Sequence, residues 1–100
     1  MSEFRKIKAY VKRPDSDWYS TWLSDSLENL QRFVGGYIET VTLAEDVVIV
    51  CNEEGKLRRL PYNCTIAGEP FVGTIFACGV DGEEFADMPI SLKEWKEVIG

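Results

Sequence analysis

Two short stretches are apolar at almost every position, residues 47–51 (VVIVC) and 71–80 (FVGTIFACGV). A run of strand length with neither helical nor alternating period belongs to a strand buried on both faces. The core is therefore expected to form around two central strands. Gly73 and Gly79 inside the second run mark a bulge or a close approach of backbone.

The segments around these runs also read as β-structure. Residues 4–12 (FRKIKAYVK) alternate with period two, and 37–43 (YIETVTL) are β-branched and aromatic with Glu39 set among them. Residues 52–55 (NEEG) have the chemistry of a hairpin loop with a late glycine. Residues 56–60 should then pair back on 47–51, with Leu57 and Leu60 at least partly inside, until Pro61 ends the strand. Residues 63–67 suggest a further short strand, closed by a turn at 68–70.

Two helices stand out. The first is predicted over 25–34, with Asp25 as cap, Glu28 as the returning arm of a capping box, and Leu23, Leu27, Leu30 and Val34 on one apolar face. Gly35-Gly36 stops it, because glycine takes the left-handed cap without a Cβ penalty. The second is short and C-terminal. Ser91 and Glu94 form its capping box, and Leu92, Trp95 and Ile99 form its apolar stripe. The fold class is α+β: one domain over residues 1–100, with a mostly antiparallel sheet of four to six strands. One main helix follows the first strand, a short helix ends the chain, and both are expected on one face. Leu27, Leu30, Val34, Val48, Val50, Ile75 and Trp95 are the predicted core.

Charge is divided along the chain. Residues 1–14 hold five bases against one acid, and the rest hold six bases against sixteen acids, for a net charge of −6. An acidic body opposes general binding to a phosphate backbone, so no direct nucleic-acid contact is expected. The basic segment reads as the outer face of the first strand. No apolar run reaches the roughly 20 residues that span a bilayer, and the N-terminus lacks a signal peptide's apolar block, which suggests a cytoplasmic protein without a membrane partner.

Cys51, Cys64 and Cys78 are odd in number and far apart, as expected of reduced core residues. With no histidine in the chain, the usual neutral-pH general base is missing. No metal or other cofactor is expected, and folding should need neither chelatable metal nor disulfide. The loop acids Glu53, Glu54, Glu83, Glu84 and Asp87 match no calcium loop.

Three blocks carry a resemblance. Leu30-Gln31-x-x-Val34-Gly35-Gly36-Tyr37-Ile38-Glu39 is followed by Val48-Ile49-Val50-Cys51-Asn52-Glu53-Glu54-Gly55, then by Leu60-Pro61-x-Asn63. In this order, and over about residues 5–90, the chain resembles a family of small proteins of unknown function carried by bacteriophages and conjugative elements. The resemblance implies residence in a bacterial host cytosol and a counter-defence or regulatory role, with no activity attached.

Most residues of these blocks are explained by turns or caps; Tyr37, Glu39 and Asn63 are not. Tyr37 and Glu39 share a face by period two and are expected to line a binding surface near the 52–55 loop, with Asn52 and Glu53, or near Asn63. The aromatic group Trp18, Tyr19 and Trp22 either covers one end of the core or adds Trp18 and Trp22 to that surface. The reading is thus a non-catalytic module that binds or sequesters a host protein or a small molecule, with a homo-oligomer left open. Its rivals are an acidic decoy that imitates DNA, marked by a convex acidic face, and a carboxylate or metal-dependent enzyme, marked by Glu39 converging with loop acids on one cleft. A sequestrant of small molecules would show a closed aromatic pocket.

Overall fold

The computed structural model describes residues 5–99. Phe4, expected in the first strand, lies outside them. Among the described residues the order is β1 (Lys6–Lys12), β2 (Tyr19–Ser24), α1 (Leu27–Val34), β3 (Ile38–Ala44), β4 (Val47–Asn52), β5 (Tyr62–Ile66), β6 (Glu69–Val72), β7 (Ile75–Asp81), β8 (Glu84–Ala86) and α2 (Leu92–Ile99). One antiparallel sheet runs β2-β1-β7-β4-β3, with β8 paired to the far end of β7. β5 and β6 form a separate two-stranded ribbon. The α+β class and the mostly antiparallel sheet are as the sequence implies.

The two apolar runs explain the layering. Successive side chains of a strand point to opposite faces, so β4 and β7 each supply both faces with apolar groups. Val48, Val50, Phe76 and Cys78 join Ile7, Ala9 and Val11 on one face, beneath Leu30 and Val34 of α1. Val47, Ile49, Cys51, Ile75 and Ala77 join Tyr10 on the other, beneath Ile66 and Phe71 of the ribbon and Trp95 of α2. The helices therefore cover opposite faces, not one. An eight-residue helix is about 12 Å long, and a sheet apolar on both sides needs cover on both.

The caps follow local chemistry. Gly35 adopts φ 85° and its N–H donates to the Gln31 carbonyl at 2.8 Å. Ser91 and Glu94 form the reciprocal capping box, at 3.2 and 3.1 Å. At the start of α1, however, the cap is Ser26, whose Oγ accepts from the Asn29 N–H at 3.2 Å. Asp25 instead pairs with Arg5 at 3.4 Å. Leu27, the first residue of the helix, is 61% exposed, while Leu30 and Val34 further along it are buried. Leu30→Ala is thus expected to cost about 2–5 kcal/mol and Leu27→Ala within about 0.5 kcal/mol in urea titrations. Equal losses at the two positions would show that the helix face is wrongly placed.

Two further expectations change, and a strand appears where the sequence predicts none. Residues 19–24 form a strand, because β1 offers them an edge from Lys6↔Ser24 to Val11↔Tyr19. Residues 56–60 form turns and not a strand, since β3 and β7 already occupy both sides of β4. The Arg58 and Leu60 N–H groups bond back to the Glu54 and Gly55 carbonyls, at 2.9 and 3.0 Å, and Leu57 is 85% exposed. The run 71–80 divides between β6 and β7, which belong to different sheets.

Candidate functional site

β3 is an edge strand whose only ladder among the described residues is with β4. The Tyr37 carbonyl accepts from the Glu53 N–H at 2.8 Å, which continues that ladder. In an antiparallel pair a residue turns both main-chain groups to the same side, and the next residue turns them away. Glu39 and Val41 therefore face β4, whereas Ile38, Thr40 and Thr42 turn theirs to the open edge. On the ribbon-and-α2 face, β3 presents Glu39, Val41 and Leu43; Val41 and Leu43 pack partly against the core.

Two clefts adjoin this strand. The first, about 140 Å³, lies between Glu39 and Val41 on one side and residues 69–72 of the ribbon on the other, with Cys51 at its base and Glu53, Lys56 and Leu57 at its mouth. Lys56 Nζ is 3.2 Å from Glu69 Oε2. Glu39 and Glu53 form no ion pair among the described residues, so acid exceeds base in the cleft. The Cys51 thiol is pushed up to about 11, first by burial and then by the charges of Glu39 and Glu69. It is a protonated core thiol with no nucleophilic character at neutral pH. Burial pushes Cys78 up to about 12 and also raises Cys64; all three cysteines are free.

The second cleft, about 430 Å³, opens at the other end of β3. Leu43, Val47, Ile66, Ile90, Trp95 and Val98 make it apolar, and Asp46 stands at its rim. Val98 is 72% exposed. The Trp95 ring, set edge-on to Trp18 at 5.3 Å, holds one wall. Its indole Nε1 is buried without a hydrogen-bond partner among the described residues.

The residues singled out from sequence are only partly brought together. Glu39, Asn52 and Glu53 border the acidic cleft. Tyr37 is exposed in a separate depression beside Gln31, Gly36 and Arg58, so it and Glu39 open to different sides of the Asn52 loop. The Asn52 amide is buried: Nδ2 donates to the Val34 carbonyl at 3.2 Å, and Oδ1 accepts from the Glu54 N–H at 2.8 Å. Asn63 is also buried and lies away from this loop. Its Nδ2 donates to the Lys12 and Gly73 carbonyls, and its Oδ1 accepts from Lys12 Nζ. Both amides clamp main chain. Trp18 is in the core, while Trp22 stands out from β2.

Several lining residues went unmarked in the sequence. Glu69 and Lys56 are far from Glu39 in the chain and meet it only because the ribbon and the turns at 53–59 fold beside β4. Val98 carried a legible signal: it widens the Leu92-Trp95-Ile99 stripe of α2 beyond what a short helix needs for packing.

A family model matches residues 7–99, under the description Domain of unknown function (DUF3846). No curated protein and no solved structure matches.

Proposed function

From a chain that belongs to the DUF3846 family of domains of unknown function, we propose a non-catalytic binding module that takes a partner protein along β3. The observation that carries this reading is the alignment of three features on one strand: an open edge, an acidic cleft at one end and an apolar cleft at the other. The apolar cleft is of the size and character of ligand-binding clefts, yet it is open and holds a single aromatic ring. Two open clefts in line along one strand form an interrupted groove, which suits a chain better than a sequestered small molecule. Within the resemblance drawn from the three sequence blocks, the partner is a host protein in a bacterial cytosol.

Glu39 converging with Glu53 and Glu69 is the feature that would mark a carboxylate enzyme. Against that rival, no three His, Cys, Asp or Glu side chains among the described residues stand close enough to hold a metal ion, and the thiol between them is protonated at neutral pH. The cleft is also concave, whereas a DNA-imitating decoy needs a convex acidic face. A photo-crosslinking amino acid placed at Leu57 or Val98, one in each cleft, should yield the same protein adduct in a bacterial host. At Leu27, on the opposite face, it should not. Adducts at Leu27 alone, or at none of the three, would sink the reading.

A further inference from the structure

We propose that the partner is recognised as an extended segment that adds to β3 as an antiparallel strand, carrying an apolar residue followed four positions later by lysine or arginine. This inference rests on the groove reading above and names the chemistry of its occupant. An open strand edge asks for another extended backbone, which satisfies the N–H and C=O groups turned outward at Ile38, Thr40 and Thr42. Antiparallel pairing extends the pattern of the whole sheet and is slightly the more stable per residue.

Register then dictates the side chains. Residues of the added strand opposite Glu39 and Val41 point to the ribbon-and-α2 face as non-hydrogen-bonded pairs, in which side chains lie closest, and Leu43, the bulged residue of β3, packs to the same face. The positions opposite Leu43 and Glu39 are four residues apart, roughly 13–14 Å, and each adjoins one cleft. Because the strands run in opposite directions, the residue at the apolar end comes first. That end, walled by Trp95 and Val98, takes Leu, Ile or Phe. The other end holds Glu39 and Glu53, neither in an ion pair among the described residues, beside the Lys56–Glu69 bridge and takes a cation. Charge also argues against a second copy as occupant. Self-pairing centred on Val41 sets Glu39 against the partner's Leu43 and brings no base to either acidic cleft.

The test uses the full chain and capped seven-residue threonine-rich peptides with Leu at the second position and Lys at the sixth. Saturable binding is expected, with amide shifts along Ile38–Thr42. Replacing the Lys by Glu, or exchanging the Leu and Lys positions, should weaken it at least about tenfold. Glu39→Lys should invert the preference between the Lys and Glu peptides. Thr40→Pro removes an outward N–H and leaves the β4 ladder intact, as edge strands tolerate; it should abolish binding without a change in circular dichroism. N-methylation of the peptide at its fifth position, opposite Thr40, makes the same test without altering the protein. Equal binding of the exchanged or N-methylated peptide would overturn the proposal. So would a peptide-free dimer that Thr40→Pro dissolves, which would assign the edge to self-pairing. Adducts at Leu57 and Val98 without saturable peptide binding at about 1 mM would leave the groove reading standing and remove strand addition.

Discussion

Phe76→Ala is expected to cost about 3–5 kcal/mol, a large part of the roughly 5–15 kcal/mol that holds a domain of this size folded. Phe76 is fully buried at the centre of the sheet, paired across to Val50 of β4 and Val11 of β1. Its ring meets Phe33 of α1 edge-on at 6.0 Å, so truncation empties the seam between sheet and helix. The close packing of a central strand lets the surroundings collapse only in part, and the residual cavity adds to the lost transfer energy. Urea titration monitored by tryptophan fluorescence reads the effect. A loss below about 1 kcal/mol would mean that α1 does not seal this face.

Gly79→Ala should be nearly as damaging, for a steric reason unrelated to cavity formation. A Cβ at Gly79 would fall far inside van der Waals contact with the Asp87 carbonyl oxygen, a main-chain atom that cannot swing aside. The segment behind that atom is itself tied down. The Met88 N–H donates to the Lys8 carbonyl at 2.9 Å, and Asp87 Oδ1 accepts from the Lys8 N–H at 2.8 Å. Overpacking of this kind costs about 1–3 kcal/mol, and more where backbone must move. The expected loss is about 3 kcal/mol, with faster amide exchange at Ala86 and Met88 than at Val50. An unchanged melting curve would show that residues 86–88 sit looser on β7 than the geometry implies.

Gly79 also shows how far sequence reasoning reaches. A glycine inside an apolar strand pattern signals a close approach of backbone, and that signal was legible. The approaching chain was not, since Asp87 read only as one of several loop acids. Glu39 is similar. A carboxylate within a β-branched stretch marks a mixed strand face, but its cleft mates Lys56 and Glu69 come from the loop and ribbon folded over β4. Asn63 failed in the opposite direction: unexplained by any turn, it looked free for recognition, whereas it spends its amide on the carbonyls of Lys12 and Gly73.

What the sequence determined by itself is short-range. The capping box at Ser91, the left-handed stop at Gly35 and the two uninterrupted apolar runs each follow from hydrogen bonds or side-chain periods within a few residues. The tertiary structure alone decided which edge each strand found, which face each helix covered, and that Leu27 at the start of α1 is left exposed while Leu30 and Val34 are covered. β2 is a strand because β1 had a vacant edge, and residues 56–60 are not because β4 had none. Main-chain pairing is the same for every residue type except proline, so strand partners are chosen by packing on both faces at once. That choice closes only when the distant parts of the chain are already together.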